Sequence, residues 1–175
     1  ADPTPRGTVL QTYTKQDAEQ WLRRRRIDPR STSWCFTTIT FTRRDMPLLI
    51  LAAVRHVDTL EELSLADCEL HDDEAIELLA AMPGLTHLRH LNLSNNHLTG
   101  QSCLAFEAFL QHQPPCPLHT LDLSANQIPT NDVVRIIRSA ARLEMLMVSG
   151  NAMTNQEVKK MGTEVRRAGG KLVVL

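Results

Sequence analysis

Four consecutive arginines, Arg23, Arg24, Arg25 and Arg26, are the densest charge in the chain. Adjacent guanidinium groups suit phosphate and carboxylate partners, so the run is a candidate contact for RNA or an acidic protein surface. Four successive positions fan around a helix and cannot all face a core, and cations are favoured at a helix C-terminus. A solvated helix end is therefore the plainer account. No aromatics are interleaved and the isoelectric point is near 6.7, which keeps RNA as the alternative.

Seven histidines raise the question of a metal. His87, His90 and His119 fall in neighbouring segments and could approach Asp122, but their spacing fixes no convergent ligand geometry, so no metal and no other cofactor is expected. His90 is expected to pair with Glu62 across adjacent strands. Cys35, Cys68, Cys103 and Cys116 form no C-x-x-C pair and no secretory framework, which points to reduced thiols. The sequence contains no G-x-S-x-G, H-E-x-x-H or G-x-G-x-x-G motif. "RAGGKL" near the end resembles a phosphate loop but lacks its first glycine and the Ser or Thr after Lys171. Neither catalysis nor a small-molecule substrate is expected.

The strongest regularity is structural. Leu88, Leu91, Leu93, Asn96 and Leu98 fit L-x-x-L-x-L-x-x-(N or C)-x-L. The pattern returns as Leu60, Leu63, Leu65, Cys68 and Leu70, and as Leu118, Leu121, Leu123, Asn126 and Ile128. A looser copy runs Leu143, Leu146, Val148, Asn151 and Met153. Upstream, Phe36, Ile39, Phe41 and Met46 keep the spacing with Arg44 in the Asn/Cys place, and Leu172 with Leu175 opens a sixth copy. First positions at 36, 60, 88, 118, 143 and 172 are 24 to 30 residues apart. In an extended segment alternate side chains face opposite ways, so Leu91 and Leu93 point inward and Asn92 outward. Asn96 is expected to satisfy backbone groups of neighbouring turns, and Cys68 to do so through its thiol.

Helical patterns separate these strands. Residues 72–82 place Ile76, Leu79 and Ala80 on one face, 102–111 place Leu104, Ala105, Phe109 and Leu110, and 131–141 place Val133, Val134, Ile137 and Ala140. Thr154 and Glu157 read as a capping box for a helix carrying Val158, Met161 and Val165. In its signature and its alternation of strand and helix, the chain from residue 33 to 175 resembles the ribonuclease-inhibitor-like leucine-rich repeats. That resemblance implies an α/β solenoid of five to six β-α repeats, with a parallel concave sheet and helices on the convex side. It implies a binding module rather than a chemistry.

The remaining segments are read as a flexible leader over 1–13, with the start at Ala1 taken as a processed or trimmed end, a helical cap over 14–34, and repeats over 35–175. In the cap, Thr14 starts a helix whose Ala18, Trp21 and Leu22 form an apolar stripe. Trp21, Leu22, Ile27 and Trp34 are expected to cover the open end of the first repeat. No run of about 18 apolar residues is present, so no membrane insertion is expected. A net charge of -1 argues against wholesale membrane or nucleic-acid binding, and the composition fits an intracellular domain, cytoplasmic or organellar.

These readings point to a non-catalytic protein-interaction module, a small subunit or adaptor whose partners are other protein subunits. The candidate concave residues are Thr40, Ser64, Asn92, Asp122 and Met147, with Thr38, Glu62, His90, Thr120 and Met145 two places earlier. The apolar stretch Leu172, Val173, Val174 and Leu175 is a second candidate contact. "DAEQWLRR", residues 17–24, is similar to the Trp-Leu helix that opens the small mitochondrial leucine-rich-repeat proteins of the ATP synthase coupling factor B type. That resemblance implies association with a respiratory or ATP synthase complex.

Overall fold

A computed structural model describes residues 12–114, 117–152, 154–167 and 172–175. Most of the leader, Cys116, Met153 and Lys171 lie outside the described residues. Each repeat contributes one short strand to a six-stranded parallel sheet whose spatial order follows the chain. The strands are β1 (Ser33–Cys35), β2 (Glu62–Ser64), β3 (His90–Asn92), β4 (Thr120–Asp122), β5 (Met145–Met147) and β6 (Val173–Val174). Helices α1 (Lys15–Arg24), α2 (Asp45–Arg55), α3 (Asp72–Ala81), α4 (Cys103–Leu110), α5 (Thr130–Ser139) and α6 (Asn155–Arg167) alternate with them. Each helix from α2 to α5 packs on the next, and one core runs the length of the stack.

The central register is as expected: Leu63 aligns with Leu91, Leu91 with Leu121 and Leu121 with Leu146. The first repeat is not. Trp34 aligns with Leu63 and Cys35 with Ser64, so the inward pair of the first strand is Trp34 and Phe36. Ile39, not Arg44, then stands in the Asn/Cys place. Thr38 and Thr40 lie past the strand and leave the concave rows, where Ser33 and Cys35 stand instead. At the other end Val174, not Leu175, aligns with Leu146. Leu172 does not open that repeat; it is fully buried ahead of the strand.

The asparagines join neighbouring repeats. Asn96 Oδ1 accepts from the backbone N–H of Cys68 at 3.1 Å and of Leu70 at 3.0 Å, in the repeat before it. Its Nδ2 donates to the carbonyls of Leu65 (2.9 Å), Leu93 (3.0 Å) and Ser94 (3.1 Å). Asn126 does the same for Leu98 N–H and the carbonyls of Leu93 and Leu123. Asn151 does so for Ile128 N–H and the carbonyls of Leu123 and Val148. Cys68 donates its thiol to Phe36 O at 3.0 Å, as expected of its place. The residue before each of these places is left-handed: Thr38, Asp67, Asn95, Ala125 and Gly150 have φ between 53° and 71°. A Cβ at Gly150 would lie 3.3 Å from Ala125 N, so glycine serves both the turn and the close stacking there.

Helix phase departs from expectation in two places. Helix α3 buries Ala75, Leu78 and Leu79 and leaves Ile76 39% and Ala80 also exposed; α4 buries Cys103, Phe106 and Phe109 and leaves Leu104 68% exposed. Helix α4 is apolar at every position but Glu107, and α3 buries the charged Asp72 beside its apolar residues, so periodicity alone does not fix their rotation. The strand connections set it instead. Helix α5 buries Val133, Ile136, Ile137 and the following Ala140, with Val134 half-buried, close to the expected face.

The open N-terminal end is closed as expected by α1, whose Thr14 and Asp17 form a capping box. Trp21 packs on Phe36 and Phe41, with ring centroids 5.2 and 5.8 Å away. Beneath them Asp45, buried at the start of α2, accepts from Trp21 Nε1 (2.8 Å), Thr42 N (2.8 Å), Thr42 Oγ1 (2.9 Å) and the Arg25 guanidinium. Burial pushes the Asp45 carboxyl up, but the indole and Thr42 hydrogen bonds and the Arg25 charge outweigh it and hold it below its ordinary value. A carboxyl depressed in the folded state stabilises the fold above its unfolded pKa and loses that contribution as pH falls through the folded value. Asp45→Asn should therefore cost about 2–3 kcal/mol at neutral pH. Urea unfolding from pH 7 to 2 should show the gap to wild type closing only below about pH 4; a gap constant across that range would place the contribution elsewhere.

Candidate functional site

Two outward rows run across the concave sheet face. One carries Ser33, Glu62, His90, Thr120, Met145 and Val173; the other carries Cys35, Ser64, Asn92, Asp122, Met147 and then Leu175. Between inward core positions, a strand can present only alternate side chains to solvent. The surface is polar through β1 to β4 and turns apolar at Met145, Met147, Val173 and Leu175. Leu175 is 55% exposed. A shallow groove of about 250 Å³ lies on this face from Ser33 to Met147.

Several outward groups already hold the sheet's own turns. Asp122 Oδ1 accepts from Ser124 N at 2.9 Å and from Ser124 Oγ, and Asn92 Oδ1 accepts from Ser94 N at 2.9 Å. Glu62 and His90 are register neighbours, yet the His90 ring bonds on its other side, with Nδ1 and Thr120 Oγ1 2.7 Å apart. His90 and His119 lie edge to face at 6.3 Å, and His119 is 3.9 Å from Glu144. No group of three His, Cys, Asp or Glu side chains among the described residues could hold a metal ion.

The arginine run divides. Arg23, Arg24 and Arg26 are exposed. Arg25 is engaged by Asp45 and stacks 4.3 Å from the Trp21 ring centroid, so it is part of the cap rather than a free cation. The C-terminal stretch also divides: Leu172 is buried, Val173 and Leu175 face outward, and Val174 packs so closely on α6 that a Cβ at Gly162 would lie 2.9 Å from its own. No described helix is long and apolar enough to cross a membrane.

Ser33 and Cys35 are the concave residues that the spacing argument missed. Their signal was the alternation Trp34-x-Phe36, two aromatics where later repeats carry leucine. Cys35 is exposed, and hydrogen bonds from the Thr37 side chain and backbone hold its thiol below the ordinary value against the effect of burial. Burial pushes Cys68 and Cys103 up to about 11. In a Cys116→Ser background, iodoacetamide at pH 7.5 should modify Cys35 at least about tenfold faster than Cys68 or Cys103, which should react only on unfolding. Equal rates in folded protein, followed by peptide mass spectrometry, would contradict this placement.

Comparison with known proteins agrees with the geometry. A family model described as a leucine-rich repeat matches residues 84–106, the segment holding β3 and Asn96. Human leucine-rich repeat-containing protein 14 is 31% identical over 105 residues, 58% of this chain, which spans only 21% of that relative. The solved leiomodin-1 actin-binding site 2 superposes with a TM-score of 0.63 at 17% identity, covering 90% of this chain and 93% of that one. The tropomodulin C-terminal domain of Caenorhabditis elegans gives 0.63 at 20% identity, covering 87% of this chain and 99% of that domain. At such identities the superpositions speak for the fold. Repeated strands in register, the asparagine ladder and the matched motif together give the chain the architecture of a short leucine-rich-repeat solenoid.

Proposed function

We propose that this chain is a non-catalytic protein-interaction module of the ribonuclease-inhibitor-like type, a small subunit or adaptor of a larger assembly, engaging its partner through the concave face. The carrying observation is the change along the two outward rows, from hydroxyl, carboxylate and imidazole groups to Met145, Met147, Val173 and Leu175. Methionine is polarizable and adaptable, which suits a contact surface beside polar groups that fix orientation. Six strands about 4.8 Å apart give a face only about 25 Å wide, so the contact extends onto neighbouring loops to reach a standard interface. The actin-binding site named for leiomodin-1 is compatible with a protein partner for this fold and does not specify one here.

A second reading, RNA or another polyanion at Arg23, Arg24 and Arg26, is favoured by the exposure of those three side chains. Association with a mitochondrial respiratory or ATP synthase complex is a narrower form of the subunit reading, resting on the Trp21-Leu22 helix. Affinity purification of the tagged protein at low and high salt separates the readings, because phosphate contacts weaken steeply with salt and apolar ones do not. Protein partners should survive high salt and fall about tenfold or more with Met147→Glu, which places a charge in a desolvated contact. Recovery of RNA alone, lost at high salt and with Arg23→Glu plus Arg24→Glu, would replace this reading with the second.

A further inference from the structure

The groove on the concave face is lined by two carboxylates that no cation among the described residues neutralises. Register places Glu62, His90 and Thr120 in one outward row and Ser64, Asn92 and Asp122 in the other. Glu62 on β2 and Asp122 on β4 therefore stand diagonally on either side of β3. Both line the groove, and its described lining contains no lysine or arginine. Arg89, just ahead of β3, is partly buried and donates to Pro117 O at 3.2 Å.

Each carboxylate keeps acceptors that the fold does not use. Glu62 is exposed, and its side chain makes no hydrogen bond or ion pair among the described residues. Asp122 engages Ser124 N and Oγ through Oδ1 alone, and its Oδ2 has no partner among the described residues. The turn itself does not require that charge, because one repeat earlier the amide oxygen of Asn92 makes the same bond to Ser94 N. Two strand spacings of about 4.8 Å and two residues of about 3.3 Å put the Cα atoms of Glu62 and Asp122 about 12 Å apart. A planar guanidinium has five donors along its edges and can serve a carboxylate on each side, where an ammonium is a point charge.

Resting on the concave-face reading above, we propose that this groove receives an arginine of the partner protein, its guanidinium over β3 between Glu62 and Asp122, with an apolar side chain of the same segment beside it on Met147. Charge-assisted bonds to both carboxylates give the contact its orientation and select against acidic segments. Met147 lines the same groove at its β5 end, so one short segment meets both the charged floor and the apolar end of the face.

The probe is a capped hexapeptide with one arginine and a leucine two residues beyond it, titrated into the isotope-labelled 175-residue chain and followed by amide chemical shifts at physiological salt. Shifts should centre on β2, β3 and β4. Citrulline in place of arginine keeps the shape, removes the charge and should weaken binding about fivefold or more, with lysine in between. Glu62→Gln combined with Asp122→Asn should weaken it as much, with an unchanged unfolding midpoint, because asparagine there retains the bond to Ser124 N as Asn92 does in its own turn. Glu61→Gln combined with Glu144→Gln removes two exposed carboxylates outside the groove lining and should change little. Equal losses from the two pairs would reduce the contact to general charge attraction and overturn the site, as would equal binding of the citrulline peptide or an absence of shifts on the sheet. In the affinity purification, partner capture lost with Met147→Glu but kept by the Glu62→Gln, Asp122→Asn variant would overturn the arginine site and leave the concave-face reading standing; capture kept by both would overturn both. A wild-type dimer in sedimentation that the same double variant dissociates would overturn it too, by making a second copy's arginines the occupant.

Discussion

The fold depends on the side-chain amides of Asn96, Asn126 and Asn151. Each strand is only two or three residues long, and past its end the chain turns inward with backbone groups that the sheet cannot pair. A buried amide or carbonyl left unpaired costs about 1–3 kcal/mol. One asparagine offers an acceptor and two donors in a fixed plane, enough to serve a turn of its own repeat and one of the repeat before. Leucine repetition supplies the driving force for stacking, while the asparagines fix its register. The left-handed residue preceding each place brings the amide into position, and its recurrence in all five turns keeps the spacing constant.

A stack of this kind leaves its ends as the difficult places. Among the described residues α1, not a strand, precedes β1, and Ile39 occupies the asparagine place. Aromatic mass takes over: Trp21, Trp34, Phe36 and Phe41 are buried in the cap and first repeat, and Asp45 fastens α1 to α2 through the indole and Arg25. The arginine run thus mixes one structural cation with three solvent-facing ones. At the other end the inner face of β6 is held by the close approach of Gly162 to Val174, while Val173 and Leu175 continue the outward rows. The concave contact surface follows from this geometry, because alternate strand positions must face outward.

The central repeats were legible in the sequence because leucine spacing and the Asn or Cys place agree with each other. The first repeat lies five residues earlier than the spacing predicts, since aromatics replace leucine there and the ladder has no asparagine to anchor it; Ser33 and Cys35 hold the outward places expected of Thr38 and Thr40. The last strand was misread by one residue, since every position of Leu172-Val173-Val174-Leu175 is apolar and no alternation marks its faces. Helix phase differs from the periodicity in α4, where Glu107 is the one polar residue, and in α3, where Asp72 shares the buried side with the apolar residues; it agrees in α5, where polar residues mark the outside. The capping role of Trp21 was visible from the apolar stripe of α1; the role of Arg25 was not, because its partner Asp45 lies 20 residues away.

Hydrogen exchange of individual amides tests the ladder most directly. The N–H groups of Cys68, Leu70, Leu98 and Ile128 donate to asparagine side chains of the following repeat rather than to strand partners. If these amides join the repeats into one cooperative unit, they should exchange as slowly as the core-strand amides and respond to denaturant with the same slope, through global unfolding. Exchange orders of magnitude faster than that of the strand amides, with little dependence on denaturant, would show the turns opening locally and would contradict the account.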